Sequence, residues 1–252
     1  MSEPSSQVLA CWAKDDLYGS EWISLRDMVL RSVKNRLRDK TETTIYDIVE
    51  KNYVHIIDHL REEVFECSID GKPSLFEIDG EEDPYIRLLD NGYKPILSKL
   101  RKIPPASFEY VCALILRALG AESEATKKTC DGGIDFQGVK LNIVTQELST
   151  PLTSKVVIIG QAKRYKDGNM VKETQVREFV GAAILRRHEL QRDRHIGPLS
   201  PVVLAFWTTS DFDANAKRYA RSVGLWYMDG HTLANYVMHL GLTNDVAGLE
   251  FG

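Results

Sequence analysis

Two short segments hold the residue types best suited to catalysis. Cys130-Asp131-Gly132-Gly133-Ile134-Asp135 sets a carboxylate after a pair of glycines, and Gly160-Gln161-Ala162-Lys163-Arg164 sets an amide and an ammonium at the end of the apolar run Val156 to Ile159. Paired glycines allow a tight turn before a strand, which aims Asp135 outward. Alternate side chains of a strand share a face, so Gln161 and Lys163 point one way and Ala162 points the other, into the core. A carboxylate beside an amide oxygen is a hard-oxygen cluster suited to Mg²⁺, which keeps several of its waters and needs few protein ligands. A neighbouring lysine would orient one of those waters and help deprotonate it, or stabilise charge on a pentavalent phosphate, with the cation acting as a Lewis acid. The chemistry implied is phosphodiester hydrolysis.

Other candidates carry weaker patterns. Asp131 reads as a turn residue supporting the glycines. His55 and His59 stand at i and i+4 of a helical stretch, a spacing that can bind zinc, but no third ligand group accompanies them. The remaining histidines form no triad with a serine in a nucleophile elbow. Basic residues cluster after the second segment, and Arg164 and Lys166, nearest the proposed cation, are candidate phosphate contacts. Thr208 and Ser210 either hydrogen-bond a phosphate or cap the helix that starts at Asp213.

The elements that must position these groups follow from periodicity. The first ten residues, rich in Ser with one Pro, read as a frayed end, and structure is expected from Trp22 onward. A helix is predicted over Ile23 to Leu37 with Ser24 as N-cap, then two short helices or one bent helix over Thr44 to Leu60 with Lys51-Asn52 as the weak point. Val64 to Ile69 and Ser74 to Ile78 read as strands flanking an Asp70-Gly71 turn, and Tyr85 to Leu89 as a short helical piece. Helices followed by a hairpin is the order of a winged helix, or of a helical bundle with a hairpin. Pro104-Pro105 marks a junction. Beyond it the pattern predicts a buried helix from Ser107 to Leu119 closed by Gly120, strands at Leu141 to Val144 and Val156 to Ala162, and a helix from Thr174 to Leu190. A strand at Val202 to Trp207, a helix from Asp213 to Val223, a strand at Leu225 to Met228 and a helix from His231 to Leu240 complete it. This is an α/β sandwich around a mixed central sheet (residues 101–252), preceded by a smaller α+β domain (residues 1–100).

Composition narrows the class. With 252 residues and 43% hydrophobic side chains, the chain can build a sizeable core or two smaller ones. Four scattered cysteines with no CxxC pair indicate neither a disulfide framework nor a zinc knuckle. No apolar run is long enough to span a bilayer and no signal segment opens the sequence, so the expected location is the cytoplasm, away from membranes. Residues 1–100 hold 13 basic and 20 acidic side chains, whereas residues 101–252 hold 19 and 16. A phosphate-binding face is therefore expected in the second part.

Asp-Gly-Gly-Ile-Asp followed by an apolar strand ending in Gln-Ala-Lys-Arg resembles the Mrr-type (type IV) restriction endonucleases, a branch of the PD-(D/E)xK nucleases in which glutamine replaces an acidic residue. The similarity extends to Ser107-Phe108-Glu109, to Val176 to Ala182, to Phe206 through Phe212, and to the segment around Met228-Asp229-Gly230, about residues 104–240 in all. It implies a restriction-endonuclease-like fold and an Mg²⁺-dependent DNA endonuclease, with Mn²⁺ as a possible substitute, acting in restriction of foreign DNA and leaving 5′-phosphates. Carried onto this sequence, it implies Asp135, Gln161 and the Ala162 carbonyl as metal ligands, Lys163 as the catalytic lysine and Glu109 as an accessory acid. Thr145 to Ser154 is an insertion relative to that pattern. DNA is the expected partner, and two-strand cleavage implies a homodimer. Two other readings stay open: a silent nucleic-acid sensor, and a subunit active only with a partner ATPase, for which the acidic first domain would be the docking surface.

Overall fold

The computed structural model describes residues 3–69, 74–90, 92–125, 133–139, 156–166 and 168–249. Asp70-Gly71, Cys130 to Gly132, the expected strand at Leu141 to Val144 and the Thr145 to Ser154 insertion lie outside the described residues. The chain divides into two compact units, Met1–Asn91 and Gly92–Gly252. Among the described residues no helix is long and apolar enough to cross a membrane.

In the first unit the amino-terminal segment is not frayed. Ser5 accepts a hydrogen bond from the Val8 amide and starts helix α1 (Ser6–Asp16), which buries Leu9, Ala10, Cys11, Trp12 and Ala13. Lys14 is buried against Glu63 at 2.6 Å, and Arg36 forks onto Asp16 at 2.7 and 3.1 Å with its guanidinium over the Trp12 ring. The Ser- and Pro-rich start conceals this helix because Ser5 serves as its cap. Strand β1 (Ile23–Ser24) leads into α2 (Leu25–Arg36), capped by Ser24 as expected. The next helix, α3 (Glu42–Ile69), is continuous. The Asn52 amide donates to the Ile48 carbonyl at 2.8 Å on the helix itself, so the expected weak point does not break it.

The hairpin lies later than the sequence suggests. Val64 to Ile69 completes α3, and β2 (Phe76–Asp79) pairs with β3 (Tyr85–Leu88) across the acidic turn that begins at Gly80, where φ is +95°. The helical piece expected at Tyr85 to Leu89 is thus a strand. Ile86 and Leu88 are buried while Tyr85 is exposed, a period of two that the short segment left ambiguous. The three-stranded sheet has the order β1-β3-β2.

The second unit begins with α4 (Lys94–Leu100) and α5 (Pro105–Ala118), which starts on a proline and ends before Gly120 at φ +90°. Its central sheet has the order β10-β8-β6-β5-β4, built from β4 (Glu122–Ala125), β5 (Phe136–Val139), β6 (Val157–Lys163), β8 (Val202–Thr208) and β10 (Trp226–Met228). β4, β5 and β6 run antiparallel in turn, and β6, β8 and β10 are parallel, so the sheet is mixed. A separate pair joins β7 (Met170–Val171) to β9 (Asp211–Phe212). Helices α6 (Glu173–Arg192) and α7 (Ala214–Ser222) bury Val176, Phe179, Ala183, Ala216 and Ala220 with Val157, Ile159 and Phe206 on one face. Helices α5 and α8 (Gly230–His239) pack on the sheet as well, and a short α9 (Thr243–Ala247) follows. The expected α/β sandwich with a mixed sheet is present.

Because Trp12 is 9% exposed and anchors α1, Trp12→Ala should cost about 3–5 kcal/mol of stability, read from denaturant unfolding of the full chain. A cost below about 1 kcal/mol would show that α1 is dispensable to the first unit.

Candidate active site

The β5–β6 ladder runs from Val139↔Val157 to Phe136↔Gly160 and then opens. Its last pair depends on size. A side-chain carbon on Gly160 would lie 2.1 Å from the Phe136 ring, so glycine lets that ring, itself packed on Trp207, lie over β6. Beyond this pair the Asp135 amide donates to the Gly160 carbonyl at 2.9 Å, and the Asp135 carboxylate accepts from the Ala162 amide at 2.8 Å. Asp135 therefore closes the end of the ladder with its own backbone and side chain. A residue's N–H and C=O point to the same edge of a strand. The Ala162 carbonyl consequently faces the Asp135 side, while the Lys163 carbonyl faces β8.

Gln161 and Lys163 continue the face of Val157 and Ile159. Gln161 is buried, and its Nε2 donates to the Gly133 carbonyl at 2.7 Å. Gly133 has φ +91°, and a side chain there would meet that nitrogen at 2.8 Å, so the glycine both makes the turn and admits the amide. The tied nitrogen leaves Oε1 as the end able to meet a cation. Asp135, Gln161 Oε1 and the Ala162 carbonyl are the oxygens that could hold a cation here, of the type Mg²⁺ takes. Among the described residues no group of three His, Cys, Asp or Glu side chains could hold a metal.

Glu109, half-buried on α5, belongs to the same neighbourhood. The fully buried Cys112 thiol is held well above its ordinary value of 9.0, first by burial, then by the negative charges of Asp135 and Glu109. Both carboxylates thus act on one buried sulfur.

Lys163 is aimed through its backbone. Its carbonyl accepts from the Thr208 hydroxyl at 2.8 Å and the Thr209 amide at 3.3 Å. The Thr209 hydroxyl donates to the Tyr165 carbonyl at 2.7 Å and accepts from the Tyr165 amide at 2.8 Å. Thr208 and Ser210 do not meet the phosphate-contact expectation. Both are buried, Thr208 donates to Lys163, and the Ser210 hydroxyl donates to the Asn169 carbonyl. Ser210 does not cap α7 either, because Asp213 does so from its own side chain. Arg164 is also turned to structural use, donating from Nη1 to the Arg101 carbonyl at 3.1 Å, whereas Lys166 is exposed. His55 is exposed beside Asp58, His59 meets Ser6 at 3.1 Å, and among the described residues no metal-holding group of His, Cys, Asp and Glu includes them.

The sequence reading missed Thr209, Tyr165, Arg101 and Cys112. Arg101 donates to the Thr209 carbonyl at 2.9 Å, a link across 108 positions for which no local pattern exists. Gly230 offered a clue: a side chain there would lie 2.4 Å from the Thr209 carbonyl oxygen, so Met228-Asp229-Gly230 owes its glycine to close packing.

Residues 100–195 match the Mrr_cat family model, described as restriction endonuclease. No curated protein matches the sequence. Among solved structures, the MspJI restriction endonuclease in complex with a 27-mer oligonucleotide is similar at 20% identity and TM-score 0.42, over 64% of this chain and 37% of that one. The DNA modification-dependent restriction endonuclease AspBHI is similar at 20% identity and TM-score 0.43, over 59% and 35%. The restriction endonuclease FokI follows at 12% identity and TM-score 0.38, over 93% and 45%. The chain spans less than half the length of each.

Two outcomes are expected. Thr209→Val keeps the shape and removes the hydroxyl, so it should cost about 1–3 kcal/mol in thermal or denaturant unfolding by orphaning the Tyr165 backbone. The Cys112 thiol ionises less readily folded than unfolded, so its contribution to stability holds below pH 9.0 and is lost as pH rises above that value. Cys112→Ala should flatten the alkaline fall in stability; an unchanged fall would exclude a thiol buried beside two carboxylates.

Proposed function

We propose that the chain is a divalent-metal-dependent DNA endonuclease that hydrolyses phosphodiester bonds in restriction of foreign DNA. The observation that carries this reading is the Asp135 carboxylate fixed on the Ala162 amide, between Gln161 and Lys163, inside a restriction endonuclease domain. Asp135, Gln161 Oε1 and the Ala162 carbonyl would hold Mg²⁺ or Mn²⁺, and the bound ion would supply Lewis-acid stabilisation of charge building on the phosphate. Lys163 contributes a second positive charge at the same place and orients the attacking water. Glu109 serves as an accessory acid from α5, and exposed Lys166 as a phosphate contact.

The first unit has the helix and strand order of a winged helix, and its exposed charge is uneven. The hairpin turn exposes Glu81, Glu82 and Asp83, and α3 exposes Glu42, Asp47, Glu50, Asp58 and Glu62 against Lys51 and Arg61. That part of the surface repels phosphate, which favours protein docking there, whereas the end of α2 and the turn after it expose Arg31, Lys34, Arg38 and Lys40.

Plasmid cleavage with Mg²⁺ tests the catalytic reading. Asp135→Ala and Lys163→Ala should each lower the rate by at least about 10²-fold while the chain stays folded. Cleavage by the wild type that persists in both variants would overturn the assignment. Glu81→Lys combined with Glu82→Lys should leave the cleavage rate within about twofold if the hairpin does not touch DNA, and a marked change would place the hairpin against DNA.

A further inference from the structure

Tyr165 leaves the end of β6 with both backbone groups bound by the Thr209 hydroxyl, at 2.8 and 2.7 Å, so its place beside Lys163 is fixed. Its half-buried ring packs against the cluster that holds Val157 and Ile159, the residues whose face of β6 Gln161 and Lys163 continue. Gln161, Lys163 and Tyr165 thus follow one another at alternate positions on one side of the chain. Extended chain advances about 3.3 Å per residue, so members of such a row are about 6–7 Å apart along the backbone.

The polar end of the tyrosine is fixed as well. Gln175, in the first turn of α6, accepts from the Lys172 amide through Oε1 at 2.9 Å. A backbone amide can only donate, so that end of the Gln175 side chain is its oxygen, and the end 2.5 Å from the Tyr165 hydroxyl is its NH₂. The tyrosine oxygen is therefore the acceptor in this pair, and its own proton is left to donate elsewhere. Among the described residues no group accepts it, and none pairs with the ammonium of Lys163 or Lys166. Lys166 and Lys172 are both exposed on the same stretch of chain, which is positive on balance although Lys172 meets Asp213 at 3.5 Å.

We propose that the Tyr165 hydroxyl is a DNA contact that donates to a non-bridging oxygen of the phosphate next to the one at Lys163. Gln175 is the positioning residue that keeps this proton available. The identity of the substrate rests on the nuclease reading. Contacts of this kind seat the duplex without reading its sequence. A donor whose direction is set before binding gives up little freedom on contact. Because it is a hydroxyl, it adds a bond without adding a cation.

The test is an anisotropy titration of a labelled DNA duplex with the full chain in EDTA, which prevents cleavage, repeated over a range of salt concentrations. Tyr165→Phe keeps the ring and should weaken binding about 3- to 10-fold at every salt concentration, leaving the slope of log affinity against log salt unchanged. Lys166→Ala should lower that slope by about one. Gln175→Met should weaken binding less than Tyr165→Phe, and the double variant should bind no worse than Tyr165→Phe alone. Wild-type affinity in Tyr165→Phe, a reduced slope of the kind a displaced lysine gives, or a wild type that does not bind DNA would overturn the contact. Losses that add in the double variant would overturn the role of Gln175. In plasmid cleavage with Mg²⁺ the loss in Tyr165→Phe should fall on KM, whereas a loss confined to kcat would point to a shifted Lys163 and overturn the contact. If the chain binds DNA but never cleaves it, the nuclease reading fails while the binding measurements still decide the contact.

Discussion

The carboxy-terminal end of β6 is held to β8 by two neighbouring threonine hydroxyls, and most of the site's geometry follows from that junction. Parallel pairing brings Lys163 level with Thr208, and Thr208 and Thr209 then take up the Lys163 carbonyl and both backbone groups of Tyr165. The strand end is thereby converted into a fixed turn. Tyr165 in turn receives Gln175 from the first turn of α6, and the carbonyls of Thr209 and Ser210 receive Arg101 and the Gly230 amide. Buried polar groups that lose a partner cost more than the bond gained by making one, so a network with this many shared members favours a single arrangement.

The amide at position 161 has a physical role in this arrangement. Nucleases of the resembled type differ in whether an acid or an amide stands there, and here Gln161 donates to the Gly133 carbonyl. An ionised glutamate would bring an acceptor against that carbonyl and lose the bond. The amide binds a cation more weakly than a carboxylate does, but it supports the turn that aims Asp135. Asp135 is secured from its other side by Ala162, and burial, followed by the negative charges of Asp135 and Glu109, holds the Cys112 thiol well above its ordinary value.

Legibility in the sequence followed the length scale of each interaction. Val157 to Lys163, α5 with its Gly120 stop and the helices after Glu173 carry strong local periodicity, and their positions were readable to within a few residues. The two candidate segments were readable because glycine, carboxylate, amide and lysine each have a restricted physical use. Errors arose where a local signal served a distant partner. Ser5 looked like part of a frayed end and is the cap of a helix whose Trp12 and Lys14 find their partners on α2 and α3. Val64 to Ile69 has strand-like composition and stays helical, while Tyr85 to Leu88, too short to show a period, pairs with both β1 and β2. Thr208 and Ser210 have hydroxyls of the kind that hold phosphate, and only the burial of the β8 end shows that they hold backbone instead.

Asp135 terminates a strand ladder as well as supplying a carboxylate, and this bears on how such a domain would decay once cleavage is no longer selected. Replacing Asp135 takes from the Ala162 amide the carboxylate to which it donates, so drift there is opposed by a loss of stability. Lys163 is held through its carbonyl, and its side chain can change with that junction intact. Descendants that keep the scaffold for binding alone are therefore expected to shed the lysine first and retain the aspartate, which makes a surviving aspartate in a relative poor testimony to surviving activity.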